Sequence, residues 1–194
     1  MSRLALTGDE NADALLSEDG FALLTGMLLD QQIAMEVAFL GPHRLADRLE
    51  APLSPATVAA TDPERLEELF REKPALHRYP GAMAKRVRAL ADHLVEQHDG
   101  RAEAVWEEAV DGRDLLRRLK ALPGFGDQKA RIFVALLGKQ LGVRPEGWRE
   151  AAGEYGEQGH RSIADVTGPE SLDQVREFKR ARKAAAKAEQ RAGG

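Results

Sequence analysis

Apolar residues fall into helical stripes along most of the chain, and strand-like alternation is scarce. Asp9 caps a short helix that runs to Leu16. Phe21–Leu29 is almost continuously apolar and reads as a buried helix. The polar break Asp30-Gln31-Gln32 separates it from a helix ending at Leu40. Gly41-Pro42 is expected to stop that helix and start another over His43–Leu49. Ser54-Pro55 and Asp62-Pro63 each pair an N-cap residue with a first-turn proline, so two helices begin there, the second ending near Glu72. Tyr79-Pro80-Gly81 opens a long helix to about His98, with Met83, Val87, Leu90, Ala91 and Leu94 in one stripe. Asp99-Gly100 and Asp111-Gly112 bracket a helix over Arg101–Val110. Helices over Arg113–Ala121 and Asp127–Leu141 are joined by Leu122-Pro123-Gly124-Phe125-Gly126. A short helix follows Pro145, and a last one spans Pro169–Arg191. The pattern predicts an all-α, compact helical array. Residues 1–168 are expected to form one domain and 169–194 a basic C-terminal helix or tail.

The connection Leu122–Gly126 is the most informative segment. Gly124 and Gly126 are expected to take backbone angles closed to other residues, and they let a ligand approach the main chain closely. Free N–H groups of the turn and of the following helix then suit an anion such as a phosphate. Ile132–Leu137 is apolar nearly all round, which mounts the turn on a core helix.

Charge adds to this picture. The chain of 194 residues has a net charge of −4, but residues 1–72 carry five Lys/Arg against 14 Asp/Glu, whereas residues 73–194 carry 23 against 18. A cationic face on an acidic protein is therefore allowed. Seven Lys/Arg between Arg176 and Arg191 place positive charge on the last helix. The absence of Cys excludes disulfides, Cys-held zinc, Cys-ligated iron–sulfur clusters and a Cys nucleophile from this chain. The N-terminal sequence shows no signal-peptide pattern, and the most apolar stretch, Phe21–Leu40, is too polar at its middle to span a bilayer. These features lead to the expectation of a cytoplasmic protein.

Leu122-Pro123-Gly124-Phe125-Gly126, with its preceding Leu-x-x-Leu helix and Ala130, resembles the helix–hairpin–helix motif Leu-Pro-Gly-x-Gly. Two more stretches, Phe21–Gln32 and the basic helix Ala82–Leu94, are similar to segments of the helix–hairpin–helix (HhH-GPD) base-excision DNA glycosylases. That superfamily includes endonuclease III, adenine-mismatch glycosylases and 3-methyladenine glycosylase II, and this chain looks like a small bacterial branch of it. The resemblance implies double-stranded, damaged DNA as partner, no membrane, a monomer, and association with the nucleoid. It implies that the amides of Gly124, Gly126, Gln128 and Lys129 hold a phosphate, and that Lys85, Arg86 and Arg88 touch further phosphates. The carbonyls of Lys120, Leu122 and Phe125 would hold K⁺ or Na⁺, with no other cofactor. Gln32 matches the glutamine that enters the duplex beside an extruded base.

The departures concern catalysis. Gln128 stands where bifunctional members carry a nucleophilic Lys, and Lys129 is one helical step away, about 100° round. A DNA glycosylase without lyase activity is therefore expected. The acid expected some two dozen residues beyond Leu122 falls on Glu146, in a helix-start context that needs no catalytic explanation. The alternative is a damaged-DNA-binding relative lacking the catalytic Asp. Asp127 reads as a helix cap and Asp165 as structural. His43, His77, His93, His98 and His160 show no metal-ligand spacing and read as surface or capping residues.

Overall fold

Side-chain caps and first-turn prolines start many of the helices in the computed structural model, which describes residues 3–194. Helix α1 (Glu10–Glu18) is capped by Asp9, and α2 (Gly20–Leu29) by Asp19. Helix α3 spans Met35–Arg48, α4 Pro55–Ala60 under the Ser54 cap, and α5 Pro63–Arg71 under the Asp62 cap. Then follow α6 (Pro80–His98), the single turn α7 (Ala104–Glu107), α8 (Gly112–Lys120), α9 (Asp127–Gln140), α10 (Trp148–Ala152) and α11 (Pro169–Ala192). Short 3₁₀ turns lie at Gly153–Gly156 and Ile163–Asp165. No strand occurs among the described residues.

Two helices form the centre. Every residue of α2 is buried, and α9 buries Ala130 and the whole run Ile132–Gly138. Phe21, Phe39, Phe70 and Phe133 are fully buried between the helices, each adding roughly 1.5–3 kcal/mol over its exposed state. The stripe Met83, Val87, Leu90, Ala91 and Leu94 buries α6 in the same core.

Two helix expectations are corrected. Gly41-Pro42 does not divide α3, which continues through Pro42. A Cβ on Gly41 would stand only 2.7 Å from Leu29 Cδ1, and both Gly41 and Pro42 are buried. Packing on α2 thus holds the helix straight through a local break signal. The helix over Arg101–Val110 shrinks to Ala104–Glu107 with irregular flanks.

Helix α11 docks through contacts that reach as far as Arg182. Val175 is buried, Arg176 meets Glu36 of α3, and Arg182 reaches Glu154 at 2.7 Å. From Lys179 to the end every residue is exposed, so a basic helical rod extends from the body.

Candidate nucleic-acid interface

The hairpin between α8 and α9 is fixed from below. Leu122 and Phe125 are buried, and the Phe125 N–H donates to the Leu122 carbonyl at 3.1 Å, closing the turn. Gly124 has φ +83°. A Cβ there would also stand 3.1 Å from Leu28 Cδ1, so the turn packs directly on the last turn of α2. Gly126 differs from the expectation: its φ of −76° is open to any residue. What it contributes is empty space, since a Cβ would meet nothing within 4 Å.

Gly126 is the N-cap of α9, and no side chain caps that helix. The Ala130 N–H bonds the Gly126 carbonyl, but the N–H groups of Asp127, Gln128 and Lys129 have no backbone acceptor among the described residues. Orphan donors at the positive end of a 14-residue helix, under an open glycine, suit one phosphate oxygen cluster. The Asp127 side chain bridges Lys120 (3.1 Å) and Arg131 (2.8 Å), which hold its carboxyl below the usual range. It therefore ties the two hairpin helices together rather than capping α9.

The turn carbonyls are left largely free of backbone donors. Among the described residues no backbone N–H donates to the carbonyls of Lys120 or Phe125, and Leu122 spends one lone pair on the turn. These three neutral oxygens keep lone pairs free of backbone donors, the donor type a monovalent cation takes.

Beside the hairpin, α2 ends in the loop Asp30–Gln32. Gln32 is exposed and has φ +60°, a left-handed conformation rare for a residue with a long side chain. Its neighbour Gln31 anchors the loop. Gln31 Nε2 donates to the Leu28 carbonyl (2.9 Å), and Arg86 donates to Gln31 Oε1 (2.8 Å). Buried His77 accepts the Tyr79 N–H at Nδ1 (3.0 Å), which leaves Nε2–H to donate to the Gln31 carbonyl at 2.8 Å. Lys129 closes the assembly from α9. Its ammonium donates to the carbonyls of Leu28 (3.1 Å) and Asp30 (3.5 Å), and burial lowers its pKa to about 8.

A profile of the HhH-GPD superfamily base excision DNA repair proteins matches residues 25–190, from inside α2 almost to the end of α11. The chain belongs to the HhH-GPD superfamily. No curated protein and no solved structure gives a significant match.

In this HhH-GPD protein the sequence-chosen residues do not all converge. Lys129 ties the hairpin of Gly124 and Gly126 to the loop that carries Gln32, and Gln128 lies on the first turn of α9. Gln128 Nε2 donates to the Tyr155 hydroxyl at 3.0 Å, at the mouth of a groove of about 300 Å³ that Phe178, Lys179 and Arg182 also line. Lys85 is exposed on α6. Arg86 is tied to Gln31, and Arg88 is turned onto the carbonyls of Thr61 and Ala59 (2.9 Å to Ala59), capping the end of α4. Arg88 thus holds the fold rather than offering a free guanidinium.

Glu146 lies elsewhere. It is exposed, its carbonyl accepts the Gly112 N–H at 2.7 Å, and it lines a separate cleft with Asp111, Arg113, Arg131 and Glu150. None of Asp30, Gln32, Gln128 or Lys129 borders that cleft. Asp165 accepts from Lys139 (2.6 Å) and from the Arg161 and Ser162 backbone, a structural network. His77, read as a surface or capping residue, is a buried bridge that accepts the N–H of the α6 N-cap Tyr79, and the His93 and His98 rings are neighbours at 5.8 Å despite their spacing.

Sequence reasoning missed three residues of this face: Asp30, His77 and Tyr155. Asp30 had a readable signal. A carboxylate placed directly after ten buried residues, at a helix C-terminus, opposes both burial and the helix dipole.

Proposed function

We propose that this superfamily member is a monofunctional, DNA glycosylase-like repair protein that binds duplex DNA through the α8–α9 hairpin. The observation that carries the reading is the uncapped N-terminus of α9 under Gly126, next to the strained, exposed Gln32. The amides of Gly124, Gly126, Gln128 and Lys129 hold one phosphate of a distorted or damaged duplex. Gln32 fills the space that an extruded base vacates. The carbonyls of Lys120, Leu122 and Phe125 would hold K⁺ or Na⁺, which would supply positive charge next to the bound phosphate. Lys85 and the exposed end of α11, within 169–194, add sequence-independent attraction to the backbone. The protein acts as a monomer on nucleoid DNA.

Strand cleavage through a Schiff base is not part of this reading. Gln128 has no amine, and the Lys129 amine is committed to the carbonyls of Leu28 and Asp30. Borohydride should trap no covalent adduct. The second reading, a damaged-DNA binder without catalysis, is favoured by the position of Glu146 in a separate cleft.

Purified protein incubated with duplexes carrying single deaminated, alkylated, oxidised or abasic positions separates the two. Release of a base with an intact strand is the outcome for a monofunctional glycosylase. Selective binding with no release on any duplex establishes the binding-only relative. Absence of binding to every duplex overturns both.

A further inference from the structure

The strongest unassigned feature is the carboxyl group of Asp30. It sits at the C-cap of α2, where helix carbonyls already concentrate negative charge. Its own N–H bonds the carbonyls of Gly26 (3.1 Å) and Met27 (3.3 Å), so the residue is held firmly. Its carboxylate, in contrast, makes no ion pair and accepts no hydrogen bond among the described residues. Ordinary folding gains nothing from a half-buried, unbonded carboxylate at the negative end of a helix. Such local conflicts concentrate at functional sites.

Groups from three elements face it. Lys129 of α9 and Lys179 of α11 favour its ionised form, while Glu36 of α3 and burial oppose it, with burial the largest effect and the balance raising its pKa. Glu36 itself is paired with Arg176, and Lys179 Nζ reaches Met35 Sδ at 3.3 Å. Arg86 of α6, held by Gln31, bears on Lys129. Asp30 lies two residues before Gln32, and Lys129 joins its backbone to the hairpin.

We infer that Asp30 is the catalytic carboxylate of this protein, acting at the sugar of a nucleotide displaced by Gln32. This rests on the DNA-repair reading above and supplies the acid that Glu146, in its separate cleft, does not. As the C1′–N bond breaks, its electron pair leaves with the base, which takes a proton from solvent. Positive charge develops at C1′, where Asp30 and the end of α2 present negative charge in a partly water-free site. A water oxygen then bonds C1′, and its proton passes to Asp30. The products are the free base and an abasic sugar, with no other reactant consumed.

The test needs no knowledge of the natural lesion. A duplex carrying one pyrrolidine abasic analogue, protonated on its ring, mimics the cationic sugar, and a tetrahydrofuran analogue is its neutral counterpart. Wild type should bind the pyrrolidine duplex at least about tenfold more tightly, the scale of a charge-assisted contact. Asp30→Asn should bring the two affinities to parity while tetrahydrofuran binding persists. Asp30→Ser provides a second variant, and Glu146→Gln should keep the wild-type preference. Equal wild-type affinities for the two duplexes, or a preference that survives both Asp30 substitutions, overturn the assignment. Failure of wild type to bind either duplex instead removes the DNA reading on which it rests.

Discussion

Lys129 Nζ lies 3.1 Å from the carbonyl oxygen of Leu28, so the N-terminal turn of α9 is bonded to the C-terminal end of α2. One amine therefore links the hairpin that offers free amides to the loop that presents Gln32. The same geometry gives Lys129 a pH signature. Burial lowers its pKa from 10.5 to about 8 in the folded protein. Between those values the unfolded chain retains a proton that the folded chain has released, so this group adds stability as pH rises through the window. Denaturant melts of wild type and Lys129→Met should show wild type gaining on the variant from about pH 8 to 10.5. Parallel curves across that range would mean that the amine titrates normally. At pH 7 the lost donor to the end of α2 and the relief of a buried charge act in opposite directions in the variant, so the pH dependence of the difference is the readout.

Gln32 places function against stability. Its left-handed conformation is strained for a side-chain-bearing residue, and the side chain is exposed. Gln32→Gly should raise stability by up to about 1 kcal/mol while weakening the preference for abasic over intact duplex. A glycine variant that is no more stable and equally selective would remove Gln32 from the interface. The companion change His77→Ala should destabilise by about 1–3 kcal/mol, since the Gln31 carbonyl and the Tyr79 N–H both lose a partner.

Much of this fold could be read in advance from residues with unambiguous local roles. Ser54-Pro55, Asp62-Pro63 and the stripe from Met83 to Leu94 act within one helix, so sequence spacing alone located them. The misplaced break at Gly41-Pro42 depended on how closely α3 packs against Leu29, a contact between helices that local propensity does not encode. The same distinction holds at the site. The hairpin glycines were legible, but Gly126 matters for open space and only Gly124 for backbone angle. Arg88, Arg86 and His77 took their roles from partners at sequence distances of 27, 55 and 46 residues, beyond any motif.

Gly124→Ala should cost about 1–2 kcal/mol, for a positive φ and a Cβ pressed toward Leu28. A urea melt with an unchanged midpoint would show that the turn relaxes freely around a side chain.

The exposed part of α11 should act through charge alone. Neutralising Arg180, Lys183 and Lys187 to Gln touches no buried residue, so the fold should persist. The slope of log affinity against log salt should fall by up to about three units, and affinities for intact and abasic duplex should fall together. An unchanged slope would take this helix out of the DNA interface.

The most direct test of the hairpin as the phosphate site is duplex binding by Gly126→Asp across several salt concentrations. An Asp at this N-cap position has room, needs no unusual φ, and can accept from the amides at the start of α9. The variant should therefore fold at least as stably as wild type. Its carboxylate would occupy the phosphate position and repel the backbone, so affinity should fall severalfold and the salt slope by about one unit. A folded Gly126→Asp protein that keeps wild-type affinity and slope at every salt concentration would contradict the account.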